Sequence, residues 1–269
     1  NQIISMYTRE SGVRVLERHI GSICRKVTTH IVDGDYKTVT INSKNLADYL
    51  GPVRYKREPN VKKDTIGLVH GLAWTQVGGE VLDVETAVVP GNGTLELTGN
   101  LGQVMKESAK AALTYIRSRS DVLGIDPEFY KSNDIHIHFP EGAVPKDGPS
   151  AGITVCMALI SSLTKTPVRH DVAMTGEITL RGRILPIGGL REKTMAALRN
   201  GIKTVIIPQD NFVDLEQIDP EVKESLQFVP AGHVDNILDI VLPTLKKQNH
   251  GAAVMPAQSK GKKSARLSQ

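Results

Sequence analysis

The chain has 269 residues, of which 40% are apolar and 23% charged, and a formal net charge of +4. This suits one large soluble domain or two small ones, and no apolar run approaches the roughly 18 residues that a membrane-spanning helix needs. The positive charge does not describe a basic folded face. Lys246, Lys247, Lys260, Lys262, Lys263 and Arg266 occupy a C-terminal stretch without acidic residues, and subtracting these six from +4 leaves −2 for the rest.

In chain order, residues 9–27 predict an amphipathic helix. Val13, Leu16, Ile20, Ile23, Cys24 and Val27 recur at helical spacing, with Thr8 as its cap and Glu10 in its first turn. A short helix at residues 46–50 should stop at Gly51. Residues 54–64, "RYKREPNVKKD", are charged and broken by proline, as a linker is. From Thr65, strand-like runs ("IGLVHGLAW", "VLDVETAVV", "LELTG", "IHIHF", "DVAMTG", "KTVIIP") alternate with helix-like runs at 102–118, 150–163, 189–200 and 233–247. That mixture predicts an α+β or α/β domain. The expected division is a helical unit at 1–58, a linker at 59–66, a main domain at 67–248 and a disordered basic tail at 249–269. The chain opens on Asn1 without a basic-then-apolar leader and is expected to be part of something longer. Cys24 and Cys156 are expected to be buried free thiols in a reducing compartment.

Two stretches carry the chemistry. Residues 145–153, "PKDGPSAGI", put Ser150 at the mouth of an apolar helix. Amide groups at a helix start have no intrahelical partner and can stabilise an oxyanion, so Ser150 is a candidate nucleophile. A plain helix cap is the alternative. The letters match a G-x-S-x-G elbow, but no clean strand precedes them. Of the later histidines, His170, His233 and His250, none has a distinctive setting, so a Ser-His-Asp triad is not expected.

Residues 186–201, "PIGGLREKTMAALRNG", predict a helix in which Lys193 falls on the apolar stripe, about 60° from Leu190, while Arg191, Glu192 and Arg199 point away. A buried lysine favours its neutral form and can act as a general base. The alternative is a lysine whose head snorkels to water.

These two stretches, with "DVAMTGEITLRGRILPIGGLREK" running into the second, resemble the proteolytic domain of the Lon family of ATP-dependent serine proteases over about residues 67–247. The resemblance implies an α+β fold with a mixed sheet, a Ser150–Lys193 dyad, and an intact protein that is a cytosolic homohexamer degrading damaged and short-lived regulatory proteins. It implies a bacterial cytoplasm rather than a mitochondrial matrix, and no membrane. Residues 7–18, "YTRESGVRVLER", resemble the small helical subdomain of the AAA+ module that precedes the protease in this family, and Arg14 matches its sensor arginine. No G-x-x-x-x-G-K-[ST] stretch is present, so ATP and magnesium belong to the full-length protein and this fragment is expected to keep peptidase activity at most.

By the same resemblance Thr175 orients the lysine, and His136 and His138 neighbour the site. Asp147 is placed to pair with Lys193 in a resting state, and Glu85 to act from farther out. The two histidines share a strand face, but no third metal ligand is evident. Two rival functions remain: a non-catalytic assembly or nucleic-acid-binding module that uses the basic tail, and a lone ATP-independent Ser-Lys peptidase.

Overall fold

The computed structural model describes residues 2–34, 38–55 and 63–245. Half of the expected linker, residues 59–62, and all of the basic tail lie outside them. Helices α1 (Gln2–Tyr7), α2 (Arg14–Val32) and α3 (Leu46–Leu50) gather around Tyr7, Ile23 and Leu46, an apolar cluster separate from the rest of the core.

Here the capping differs from expectation. The Thr8 hydroxyl donates to the Ile4 carbonyl at 2.9 Å and closes α1 instead of opening α2. The cap is Glu10, whose carboxylate accepts from the amides of Val15 (2.8 Å) and Leu16 (2.9 Å). These bonds hold its pKa below the usual carboxylate range. Its reach past Arg14 moves the helix start downstream. Val13 and Ile20 stay exposed, and so does Cys24, which is a free thiol on the surface and not a buried one.

The main domain comprises β1 (Leu68–Thr75), β2 (Gly78–Pro90), β3 (Leu95–Thr98), α4 (Gln103–Ser118), α5 (Ser120–Leu123), α6 (Phe129–Ser132), β4 (Asn133–His138), α7 (Gly152–Thr164), β5 (Val172–Met174), β6 (Glu177–Ile178), β7 (Ile184–Leu185), α8 (Leu190–Arg199), β8 (Thr204–Pro208), α9 (Pro220–Ser225), β9 (Gln227–Ala231) and α10 (Leu238–Val241). Seven strands form one mixed sheet in the order β3-β4-β2-β1-β5-β8-β9, and β6 pairs with β7. Of the single helix expected at 233–247, the described residues 233–245 do not form one. A 3-10 turn (Val234–Asn236) and the short α10 stand there, and Pro243 blocks continuation.

Alternation along the strands sends residues to opposite faces. Val69, Val84, Ile135 and Ile137 share one buried cluster with residues of α4 and α7. Leu72, Ala173, Val205 and Ile207 share a second with Leu190 and Ala197 of α8. The sheet is thus covered by α7 on one side and α8 on the other. Strands β1, β5 and β8 are parallel, so their C-terminal ends lie along one edge. The two stretches singled out in the sequence meet at that edge, just past β5.

Candidate active site

The turn that carries Ser150 is tied down on both flanks. Upstream, the Lys146 amide donates to the Asn100 carbonyl (3.1 Å) and the Gly102 amide to the Lys146 carbonyl (2.7 Å). The Asp147 carboxylate accepts from the amides of Met105 (3.0 Å) and Gly148 (2.8 Å), which caps the first turn of α4 and keeps its pKa below the usual range. Gly148 then turns the chain with φ 118°, a conformation that favours glycine.

Downstream, the Ser150 carbonyl leaves the helix direction. It accepts from the Gly176 amide at 2.8 Å and the Thr175 hydroxyl at 3.4 Å, while the Ile153 amide donates back to the Gly176 carbonyl at 3.2 Å. That pairing fastens the turn to the end of β5, and α7 accordingly begins at Gly152 rather than at Ser150. The amides of Gly152 and Ile153 are engaged with Pro149 and Gly176. Those of Ser150 and Ala151 make no hydrogen bond among the described residues.

Lys193 comes from the opposite side of the sheet edge, on α8. Leu190, Thr194, Ala196 and Ala197 are buried with it, and Arg191 is exposed, as the helical spacing requires. Lys193 is only 1% exposed, so its head does not snorkel to water. Its Nζ donates to the Thr175 hydroxyl at 3.0 Å. No carboxylate pairs with it among the described residues. Burial alone pushes its pKa down from 10.5 to about 8, because a low-dielectric setting penalises the ammonium form.

Thr175, itself fully buried, is the shared partner. It joins the lysine amine to the backbone of the serine turn. The structure therefore links Lys193, through Thr175, to the backbone of the Ser150 turn, with no hydrogen bond between the Ser150 hydroxyl and the Lys193 amine.

The other candidates fall elsewhere. Asp147 does not pair with Lys193; its oxygen holds the start of α4, where two backbone amides satisfy it. Glu85, His136 and His138 are not beside the dyad either. Glu85 pairs in register with Leu68 at the start of β1, and with His138 across β2 and β4. Two strands, β2 and β1, separate β4 from β5. The Thr98 hydroxyl sits between His136 Nε2 and His138 Nδ1, 2.7 Å from each, in an exposed cluster of its own. No group of three or more His, Cys, Asp or Glu side chains is arranged for a metal among the described residues.

Arg14 opens α2 and is exposed. His170 is bonded to Asp64 (2.7 Å) and His233 to the Arg181 carbonyl (2.8 Å), so neither serves Ser150. Sequence reasoning missed the pairing of buried His70 with the half-exposed Asp83, 2.6 Å apart on neighbouring strands, because only the β1–β2 register brings them opposite each other.

A family model described as the Lon protease (S16) C-terminal proteolytic domain matches residues 40–244, and one described as the Lon protease AAA+ ATPase lid domain matches residues 1–39. Proteins named Lon protease are similar along most of the chain. That of Brevibacillus choshinensis is 56% identical over 237 residues, 88% of this chain and 30% of the relative. That of Geobacter metallireducens is 54% identical over 242 residues, 90% of this chain and 29% of the relative. That of Haemophilus influenzae is 56% identical over 241 residues, 89% and 30% respectively. The chain thus spans about 30% of the length of the curated relatives it matches.

Proposed function

The chain belongs to the Lon protease family and carries its C-terminal proteolytic domain, and on that premise we propose that Ser150 and Lys193 are the catalytic dyad of a serine endopeptidase. The observation that carries this is a buried lysine with no carboxylate partner among the described residues, hydrogen-bonded to Thr175 beside the serine turn. With a pKa of about 8, about one Lys193 in four is neutral at pH 7.5. The neutral amine takes the Ser150 proton as Oγ bonds to the scissile carbonyl carbon. The carbonyl oxygen becomes an oxyanion facing the amides of Ser150 and Ala151. Collapse of this adduct expels the amine, which receives the proton from Lys193 and leaves an acyl-serine. Water, deprotonated by the same lysine, then releases the acid.

In the full-length protein this site would serve ATP-dependent degradation of damaged, misfolded and regulatory proteins within a cytoplasmic homohexamer, as part of stress response and quality control. Arg14 would act as nucleotide sensor there. The residues present do not fit a nucleotide site by themselves, since no phosphate-binding G-x-x-x-x-G-K-[ST] stretch occurs in the chain; ATP and magnesium would be held elsewhere in the longer protein. A non-catalytic module would need neither the buried Lys193 nor the paired serine turn.

The test is peptide hydrolysis by Lys193→Arg and Lys193→Ala between pH 6 and 10. Arginine keeps a charge but cannot accept a proton, so both variants should be equally inactive, while the wild type gains activity as pH rises through about 8. Substantial turnover by Lys193→Arg would end the dyad assignment.

A further inference from the structure

Among the described residues Lys193 has no carboxylate to hold it, so the position of its amine depends on where α8 starts. The lead-in is Ile187-Gly188-Gly189, and no side chain caps the helix at Gly189. Such a segment has little steric restraint of its own. The restraint comes from Asn211, in the 3-10 segment Gln209–Gln217. Its Nδ2 donates to the Ile187 carbonyl at 2.9 Å and its Oδ1 accepts from the Ile187 amide at 2.9 Å. The carboxamide thus pairs with Ile187 as a neighbouring strand would.

Nδ2 also donates to the Asp214 carboxylate at 2.6 Å, an acceptor that fixes which end of the amide carries the hydrogens. Asn211 is 4% exposed. From the other side Gly79 forms a wall against the same turn of α8. A Cβ on Gly79 would lie 1.9 Å from the Glu192 carbonyl oxygen, and Arg199 Nη2 donates to the Gly79 carbonyl at 2.9 Å.

We infer that Asn211, oriented by Asp214, is a positioning residue for the Lys193 base: it sets the height of the first turn of α8 against the Gly79 wall, and so the placement of Nζ at Thr175. This rests on the reading of Lys193 as the base. Asn211 acts only through the Ile187 backbone.

The test uses Asn211→Asp and Asn211→Ala in the 269-residue chain. Aspartate keeps the size and the acceptor for the Ile187 amide, loses the donor to the Ile187 carbonyl, and sets a second carboxylate beside Asp214. A shifted base costs rate more than binding, so kcat should fall about a hundredfold with KM little changed. The rising limb of the pH profile should move up from about 8 toward 10.5 as the amine gains water. Amides of residues 187–193 should exchange hydrogen about tenfold faster. The double variant Asn211→Asp/Asp214→Asn removes the repulsion and should recover part of kcat.

A merely structural Asn211 would lower the melting temperature and leave kcat and the pH midpoint as in wild type; that result in Asn211→Asp overturns the inference. If Asn211→Ala fails to fold, Asn211→Asp and the double variant still decide it. Lys193→Arg serves as control. If it is inactive while Asn211→Asp behaves as wild type, only this inference falls. If Lys193→Arg is active, the dyad falls instead.

Discussion

At the end of β5, Lys193 and Thr175 are sealed from water and bonded to each other. Across the sheet, on β2, β3 and β4, Glu96, His136 and His138 gather about Thr98 in contact with solvent, with Glu85 opposite His138 in the β2–β4 register. The second region is far richer in the residue types that move protons. Yet water and salt screen its charges, and an exposed pair gains little from proximity. The first region has one titratable group and no ion pair, and there desolvation alone shifts the lysine. Acid–base capacity here follows from burial and not from the inventory of side chains.

That contrast can be broken at its strong end first. Ser150→Ala should lower peptide hydrolysis by about a thousandfold or more while the melting temperature stays near wild type. Retained turnover would mean that the serine turn is only a helix start.

Lys193→Met should then show what the buried amine costs. An unfolded lysine binds its proton below about pH 10.5, whereas the folded one resists it until about pH 8. Folding is therefore penalised as pH falls through that window, and the full penalty applies below 8. The inactive Met variant should be more stable at pH 7 by about 3 kcal/mol, with the gap closing toward pH 10. Denaturant titrations at both pH values measure it; an equal gap at each would show that the lysine is not desolvated.

Thr175→Val removes the hydroxyl and keeps the shape. Activity should fall about tenfold, the size of one lost hydrogen bond at the reacting group, and Thr175→Ser should restore most of it. At the weak end, alanine at Glu85, His136 or His138 should leave kcat/KM of this chain within about twofold, as screened surface groups do. A drop of tenfold in any of them would erase the distinction between the two regions.

The proposed pairing of Ser150 with Lys193 could be read from the sequence because each half is a local signal and both stretches resemble one family. An isolated serine between small residues and a lysine on an apolar stripe each need only the periodicity of one helix. The seven-strand order, the Asp147 cap on α4 and the His70–Asp83 pair depend on contacts between distant segments, which no local pattern carries. Near-neighbour errors had a different cause. Thr8 and Glu10 are both acceptable caps, and the longer side chain reached the free amides first. Residues 233–247 are apolar enough for a helix, but Pro243 and the preceding 3-10 turn divide them. Asn211 was invisible because nothing in "PQDNFVDLEQ" distinguishes a buried clamp from a loop asparagine.

The Thr175 hydroxyl has a single hydrogen, and it is given to the Ser150 carbonyl. With that hydrogen so placed, it receives an N–H from the amine and leaves the amine's own lone pair free. Once the ammonium loses its extra proton, one N–H stays pinned to Thr175 and the electron pair is left facing away from it. In the proposed reaction Thr175 would thus hold the orientation of the nitrogen through both transfers, the proton taken from Ser150 and the proton returned to the leaving amine.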